Sequence, residues 1–166
     1  MTVKWSPPLE GWYKVNVDGT VFTKLKQTGI RVIIRDDTGA VVVAMSKKIA
    51  VPLGALETEA KVMETGVCFV VEVGIRDAIF EGDSILVYNA VHGSGSASTA
   101  IQNIVTGILR QAQGFRTFAF SHVKWQGNVP AHVLAQYAGK VEDYVTWLEE
   151  CPSHIESVCA QDVRGF

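Results

Sequence analysis

Four carboxylates, Asp18, Glu57, Glu59 and Asp83, stand where this 166-residue chain could do chemistry. Asp18 closes the run Tyr13-Lys14-Val15-Asn16-Val17-Asp18-Gly19-Thr20. Carboxylate oxygens are hard donors suited to divalent cations such as Mg²⁺. Each acid also has a plainer use. An Asp before Gly stabilises a turn. A Glu in the first turn of a helix complements the helix dipole. An Asp or Ser between strand and helix caps the helix. A shared site therefore requires a fold that carries distant acids to Asp18.

The elements that would position them can be read in order. Tyr13, Val15 and Val17 alternate with Lys14, Asn16 and Asp18, which predicts a strand with Asp18 at its carboxyl end. Ile30 to Arg35 and Ala40 to Met45 read as two more strands, joined through the polar turns Lys24–Gly29 and Asp36–Gly39 into an antiparallel meander. From Ala55 the period changes: Leu56, Ala60, Met63, Val67 and Val70 predict an amphipathic helix of roughly five turns. Glu57 and Glu59 lie in its first turn, and a site would select one of them. Asp77–Glu81 reads as a buried strand, and Ile85 begins a helix, so Asp83 sits at the junction where α/β sheets place ligands. A Gly/Ser loop, a second amphipathic helix ending at Gly114, a strand over Phe115–Val123 and a last helix from Pro130 complete the order β-β-β-α-β-α-α-β-α. This is an α/β fold with a five-stranded mixed sheet flanked by helices. The expected division is an extended arm over 1–12, a domain over 13–140 and a partly packed tail over 141–166. Trp5 and Trp12 should pack the arm onto the body.

Composition narrows the classes. The hydrophobic fraction of 48% fits one globular domain. A net charge of −2 argues against coating nucleic acid by bulk electrostatics, though not against gripping a short backbone with a few cations. Cys68, Cys151 and Cys159 have no zinc spacing and suggest reduced thiols, hence an intracellular protein, nuclear or cytoplasmic. No apolar run approaches a membrane span. The Gly/Ser loop lacks the phosphate-binding P-loop pattern.

Taken together, Trp12 through Gly19, Val32-Ile33-Ile34-Arg35-Asp36, Glu59-Ala60, Glu81-Gly82-Asp83-Ser84 and the segment from His122 through Asn128 to His132 resemble a ribonuclease H domain. The likeness is to the plant-type form associated with reverse transcriptases of retroelements, and it covers nearly the whole chain. It implies a metal-dependent endonuclease that hydrolyses the RNA strand of RNA–DNA hybrids. Asp18, Glu59 and Asp83 match the family's acidic ligands, and His122 matches its mobile histidine. The family's last acid is replaced here by His132, which removes one negative charge and suits Mg²⁺ less well than an oxygen donor.

In that reading Asp18, Glu59, Asp83 and His132 are the metal ligands, with Mg²⁺ as cofactor and Mn²⁺ as a substitute. Two such ions roughly 4 Å apart serve the attacking and departing oxygens. Asn16, Gly19, Thr20, Trp125 and Asn128 are expected substrate contacts, because telling RNA from DNA requires touching 2′-hydroxyls. The partner is an RNA–DNA hybrid bound by a monomer. The alternative is a catalytically weakened nucleic-acid-binding module that keeps the fold.

Overall fold

Val15 and Val17 on one side of the first strand, and Lys14, Asn16 and Asp18 on the other, are all buried, so this strand is sandwiched rather than half-solvated. It is the third of six strands in a sheet ordered β5-β4-β1-β2-β3-β6 in the computed structural model, which describes residues 5–50, 54–94, 99–124, 128–130, 144–148 and Cys159. The strands are β1 (Tyr13–Phe22), β2 (Gln27–Arg35), β3 (Val41–Ile49), β4 (Asp77–Gly82), β5 (Thr117–His122) and β6 (Tyr144–Leu148). The helices are α1 (Ala55–Glu72), α2 (Ile85–Val91) and α3 (Thr99–Ala112). β1, β2 and β3 form the antiparallel meander, and β4 and β5 add in parallel beside β1. The expected five strands are present. The tail supplies a sixth, β6, paired antiparallel with the outer edge of β3.

The meander strands run further than side-chain propensity indicates. β1 continues to Phe22, and a short 3₁₀ turn (Thr23–Leu25) ends with Lys26 in the left-handed region at φ 50°. β2 then starts at Gln27, inside the stretch expected to be turn. The ladder itself, nine residue pairs from Lys14↔Arg35 to Phe22↔Gln27, holds these polar residues in strand geometry. β3 likewise carries Lys47 and Lys48 within its pairing to β2.

One face of the sheet makes the apolar core. Val15, Val17, Ile30, Val32, Ile34, Met45, Ala78 and Phe80 meet α1 through Ala60, Met63, Val67 and Val70, and α3 packs on α1 through Ile101, Val105 and Ile108. The other face is polar yet buried: Lys14, Asn16, Arg31, Arg35, Ser46 and Glu81. Trp5, 2% exposed, covers part of it. Its indole N–H donates to Asn16 Oδ1 at 3.2 Å, and the Arg35 guanidinium lies 3.8 Å from its ring centroid. Lys14 Nζ and Asn16 Nδ2 both reach the Glu81 carboxylate at 3.2 Å. The arm is thus anchored by a buried network in which each charge meets an opposite charge or an aromatic face.

Candidate active site

β1 and β4 are adjacent and parallel, so the carboxyl end of β4 lies beside the middle of β1, next to Val17 and Asp18. Asp18 is the sixth of the ten residues of β1 and not its carboxyl end, because pairing with β2 carries the strand on to Phe22; Asp83 directly follows β4. Their shared ladder stops at Asn16↔Glu81. Beyond it the main-chain oxygen of Val17 takes a hydrogen bond from Asn128 Nδ2 at 3.0 Å. The segment that leads into the last expected helix is therefore fixed beside Asp18.

Helix α1 brings the third acid. It crosses β1 so closely that Val62 packs on Gly19 and Val17 on Gly66, and a Cβ at either glycine would collide. The helix number rises as the strand number falls, so α1 points its amino end at the carboxyl end of β1. Glu59 lies one turn before Val62 and Met63 and is carried over that end. Glu57 does different work. It is the third residue after the cap position Gly54, and its carboxylate folds back over Gly54, as in a capping box. Of the two, Glu57 is turned back over the helix start.

Asp83 is likewise separated from capping duty. Ser84 caps α2, its Oγ accepting from Val87 N–H at 3.3 Å. The Asp83 side chain has no hydrogen bond among the described residues, and its main-chain oxygen contacts His122 Nε2 at 3.1 Å. A carbonyl only accepts, so the bond is donated by Nε2–H. His122, paired with Gly82 at the end of β5, thus adjoins Asp83. Glu59, Ser84, Tyr88 and Ser121 line a narrow cleft here, floored by Val17 and Met63.

The electrostatics tie the acids together. Burial pushes the Glu59 carboxyl up to about 7, and the negative charges of Asp83 and then Asp18 add to the rise. Arg31, directly across the ladder from Asp18, is fully buried, and that burial pulls its guanidinium down to about 9 while Asp18 acts in the opposite direction. Asp18 and Glu59 approach from opposite faces of the sheet, since Asp18 alternates with the α1-facing Val17 and Gly19. Among the described residues, no three His, Cys, Asp or Glu side chains close into a ready metal cage. Carboxylate oxygens are the donor type that a hard divalent cation prefers.

The remaining expected site residues are placed as follows. Asn16 is corrected from a groove contact to an internal one. It is 1% exposed, with its amide bonded to Trp5, Arg35 and Glu81. Asn128 is also 1% exposed and faces β1 rather than solvent. Gly19 and Thr20 are half-buried within β1, paired with Ile30 and Gly29 of β2. Trp125 and His132 lie outside the described residues. Sequence reasoning missed Arg31, whose position opposite Asp18 follows only from the β1–β2 register. It also missed a set of lysines at this end of the sheet: Lys24 and Lys26 beyond the β1–β2 hairpin, Lys47 and Lys48 late in β3, and Lys61 on α1.

With this geometry in view, the chain can be set beside known proteins. The profile of the reverse transcriptase-like family matches residues 16–138. No curated protein matches the sequence. Solved structures do. The RNase H1 of the archaeon Halobacterium salinarum superposes with a TM-score of 0.71 at 18% identity, covering 78% of this chain and 98% of the other. The N-terminal RNase H domain of a Mycobacterium tuberculosis protein, solved fused to maltose-binding protein, gives 0.63 at 18% identity, with 78% and 96% covered. LC11-RNase H1, isolated from compost by a metagenomic approach and solved with an RNA/DNA hybrid, gives 0.64 at 16% identity, with 74% and 92% covered. At these identities the likeness is one of fold, and the mixed sheet with its flanking helices is a ribonuclease H fold.

Proposed function

This chain belongs to the reverse transcriptase-like family, and on that premise we propose that it is a ribonuclease H-type endonuclease acting on the RNA strand of RNA–DNA hybrids. The observation that carries the reading is geometric: β4 runs parallel beside β1 and stops next to Asp18, while α1 lays its amino end over the same part of β1, so Asp83 and Glu59 are carried towards Asp18. A neighbour of the same fold was solved with an RNA/DNA hybrid, which supports a hybrid as the partner.

Glu59, Asp83 and Asp18 would hold Mg²⁺ or Mn²⁺, with His132 completing the set. The cation, when bound, supplies a more acidic water and charge stabilisation at the phosphate. His122 presents Nδ1 as a proton acceptor, its orientation fixed by the Nε2–H bond to Asp83 O. The lysines at this end of the sheet give a net-acidic chain the local positive charge to grip phosphates, so binding weakens steeply with salt. Main-chain groups at Gly19 and Thr20, together with Trp125, are the proposed contacts to the ribose side.

One observation favours a second reading. Arg31 already places a cation opposite Asp18, as suits a module that binds hybrid with little or no cleavage. Incubation of an end-labelled hybrid with the protein in Mg²⁺ and in Mn²⁺, beside Asp83→Asn, separates the two. The enzyme reading predicts RNA-strand products that the substitution abolishes. Hybrid retained without products, by both proteins alike, contradicts it and supports the module.

A further inference from the structure

We infer that the groove between α1 and the end of β3 is a small-molecule site for a compact apolar carboxylate. The carboxylate pairs with Lys47, and the apolar body lies on Met45, Ile49 and Phe69. The inference goes beyond the nuclease reading and does not depend on it.

The groove follows from how α1 crosses the sheet. The helix packs over β1 and β2 and stands off β3. The gap is a cavity of about 250 Å³. Buried Met45 and Phe69 and half-buried Ile49 give it apolar walls. Ordinary ligand pockets run from roughly 300 to 1,000 Å³, so this one suits a fragment-sized ligand. On the helix side the lining runs through Lys61, Thr65, Cys68 and Glu72, spaced as one stripe of α1.

Charge says what the ligand must carry. Val43, Met45, Lys47 and Ile49 alternate onto the face of β3 that meets α1, so Lys47 stands where the strand otherwise places apolar side chains. Lys47 is half-buried, and among the described residues its ammonium makes no hydrogen bond or ion pair. The other cation of the groove, Lys61, is already held by Glu64. Glu72 is exposed, so water and salt screen it. Cys68 adds no charge: burial, then Glu64 and Glu72, push its thiol up, which keeps the sulfur protonated near neutral pH. A half-buried ammonium beside an apolar wall is complementary to an anion that brings its own apolar surface. A bare inorganic anion would leave the wall unused, and a neutral apolar molecule would leave Lys47 unpaired.

The test titrates phenylacetate into the ¹⁵N-labelled full chain and follows the amide shifts. The inference expects saturable shifts along the end of β3 and the groove side of α1, with a Kd on the order of 1 mM. Phenylacetamide, which has the shape without the charge, should bind about tenfold more weakly, and so should acetate, which lacks the ring. Lys47→Met keeps the apolar stem and removes the ammonium, so it should weaken phenylacetate about tenfold and leave phenylacetamide unchanged. Lys61→Met should change phenylacetate affinity by less than about threefold, because Glu64 already holds Lys61. Four results overturn the inference: no saturable shift at about twenty times the expected Kd, equal binding of acid and amide, Lys47→Met binding the acid as tightly as the wild type, or Lys61→Met losing as much as Lys47→Met. Should Lys47→Met not fold, the comparison of acid with amide on the wild type decides. No readout uses nucleic acid, so failure of the hybrid assay counts against the proposed activity alone.

Discussion

Asn128 Nδ2 donates to the main-chain oxygen of Val17 at 3.0 Å, across 111 residues of chain and one residue short of Asp18. This bond takes over where the β1–β4 ladder ends, so it satisfies a carbonyl that no strand partner reaches. Asn128→Leu leaves that buried oxygen unpaired and should cost about 1–3 kcal/mol. Urea denaturation reads the loss as a lower midpoint with an unchanged slope.

Gly66 exists for the approach of α1 to Val17. Adding one methyl in Gly66→Ala pushes the helix off the strand and should destabilise by about 1–3 kcal/mol. The same shift carries Glu59 away from Asp18. Thermal melting and hybrid cleavage should therefore fall together, with the loss in cleavage exceeding the fraction of protein unfolded at the assay temperature.

Glu59 makes stability depend on pH in a definite direction. Its folded pKa is raised from 4.5 to about 7, so between these values the native state binds more protons than the unfolded chain. The stabilisation linked to this proton is fully present below about 4.5 and is lost as pH rises through about 7. Its full size is on the order of 3 kcal/mol. In chelator, the wild type should lose stability over this window, and Glu59→Gln should flatten the profile. Denaturant titrations at pH 5, 6, 7 and 8 check both.

His122 is held by one bond from Nε2 to the main-chain oxygen of Asp83, and the chemistry proposed here uses its other ring nitrogen. His122→Ala should lower kcat about 100-fold or more while KM for hybrid changes little. Single-turnover cleavage at saturating hybrid, with a binding titration alongside, separates the two effects.

Periodicity alone placed β1, α1, β4 and α3, because their apolar faces are continuous and their turns are marked by Gly and Asp. The junction after β4 was legible for Asp83, whereas Asp18 reads as a strand end until the β2 ladder is seen to carry β1 on to Phe22. What escaped it depends on pairing between distant segments. Lys47 and Lys48 read as a polar end until the β2 ladder is known. Asn16 reads as solvent-facing until Trp5, Arg35 and Glu81 are seen to enclose it. Arg31 reads as one charge in a β-branched run until the register sets it against Asp18. The β6 pairing carries no local signal at all, because an edge strand is defined by its partner.

The account stands on Glu59, Asp83 and Asp18 sharing one field that a cation relieves. A carboxyl ¹³C titration of Glu59 by NMR measures that field directly, in the wild type with and without Mg²⁺ and in Asp83→Asn. The account predicts a pKa of about 7 in the metal-free wild type, lowered by the Asp83 substitution and lowered again by Mg²⁺. A Glu59 that titrates near 4.5 and responds to neither change contradicts it.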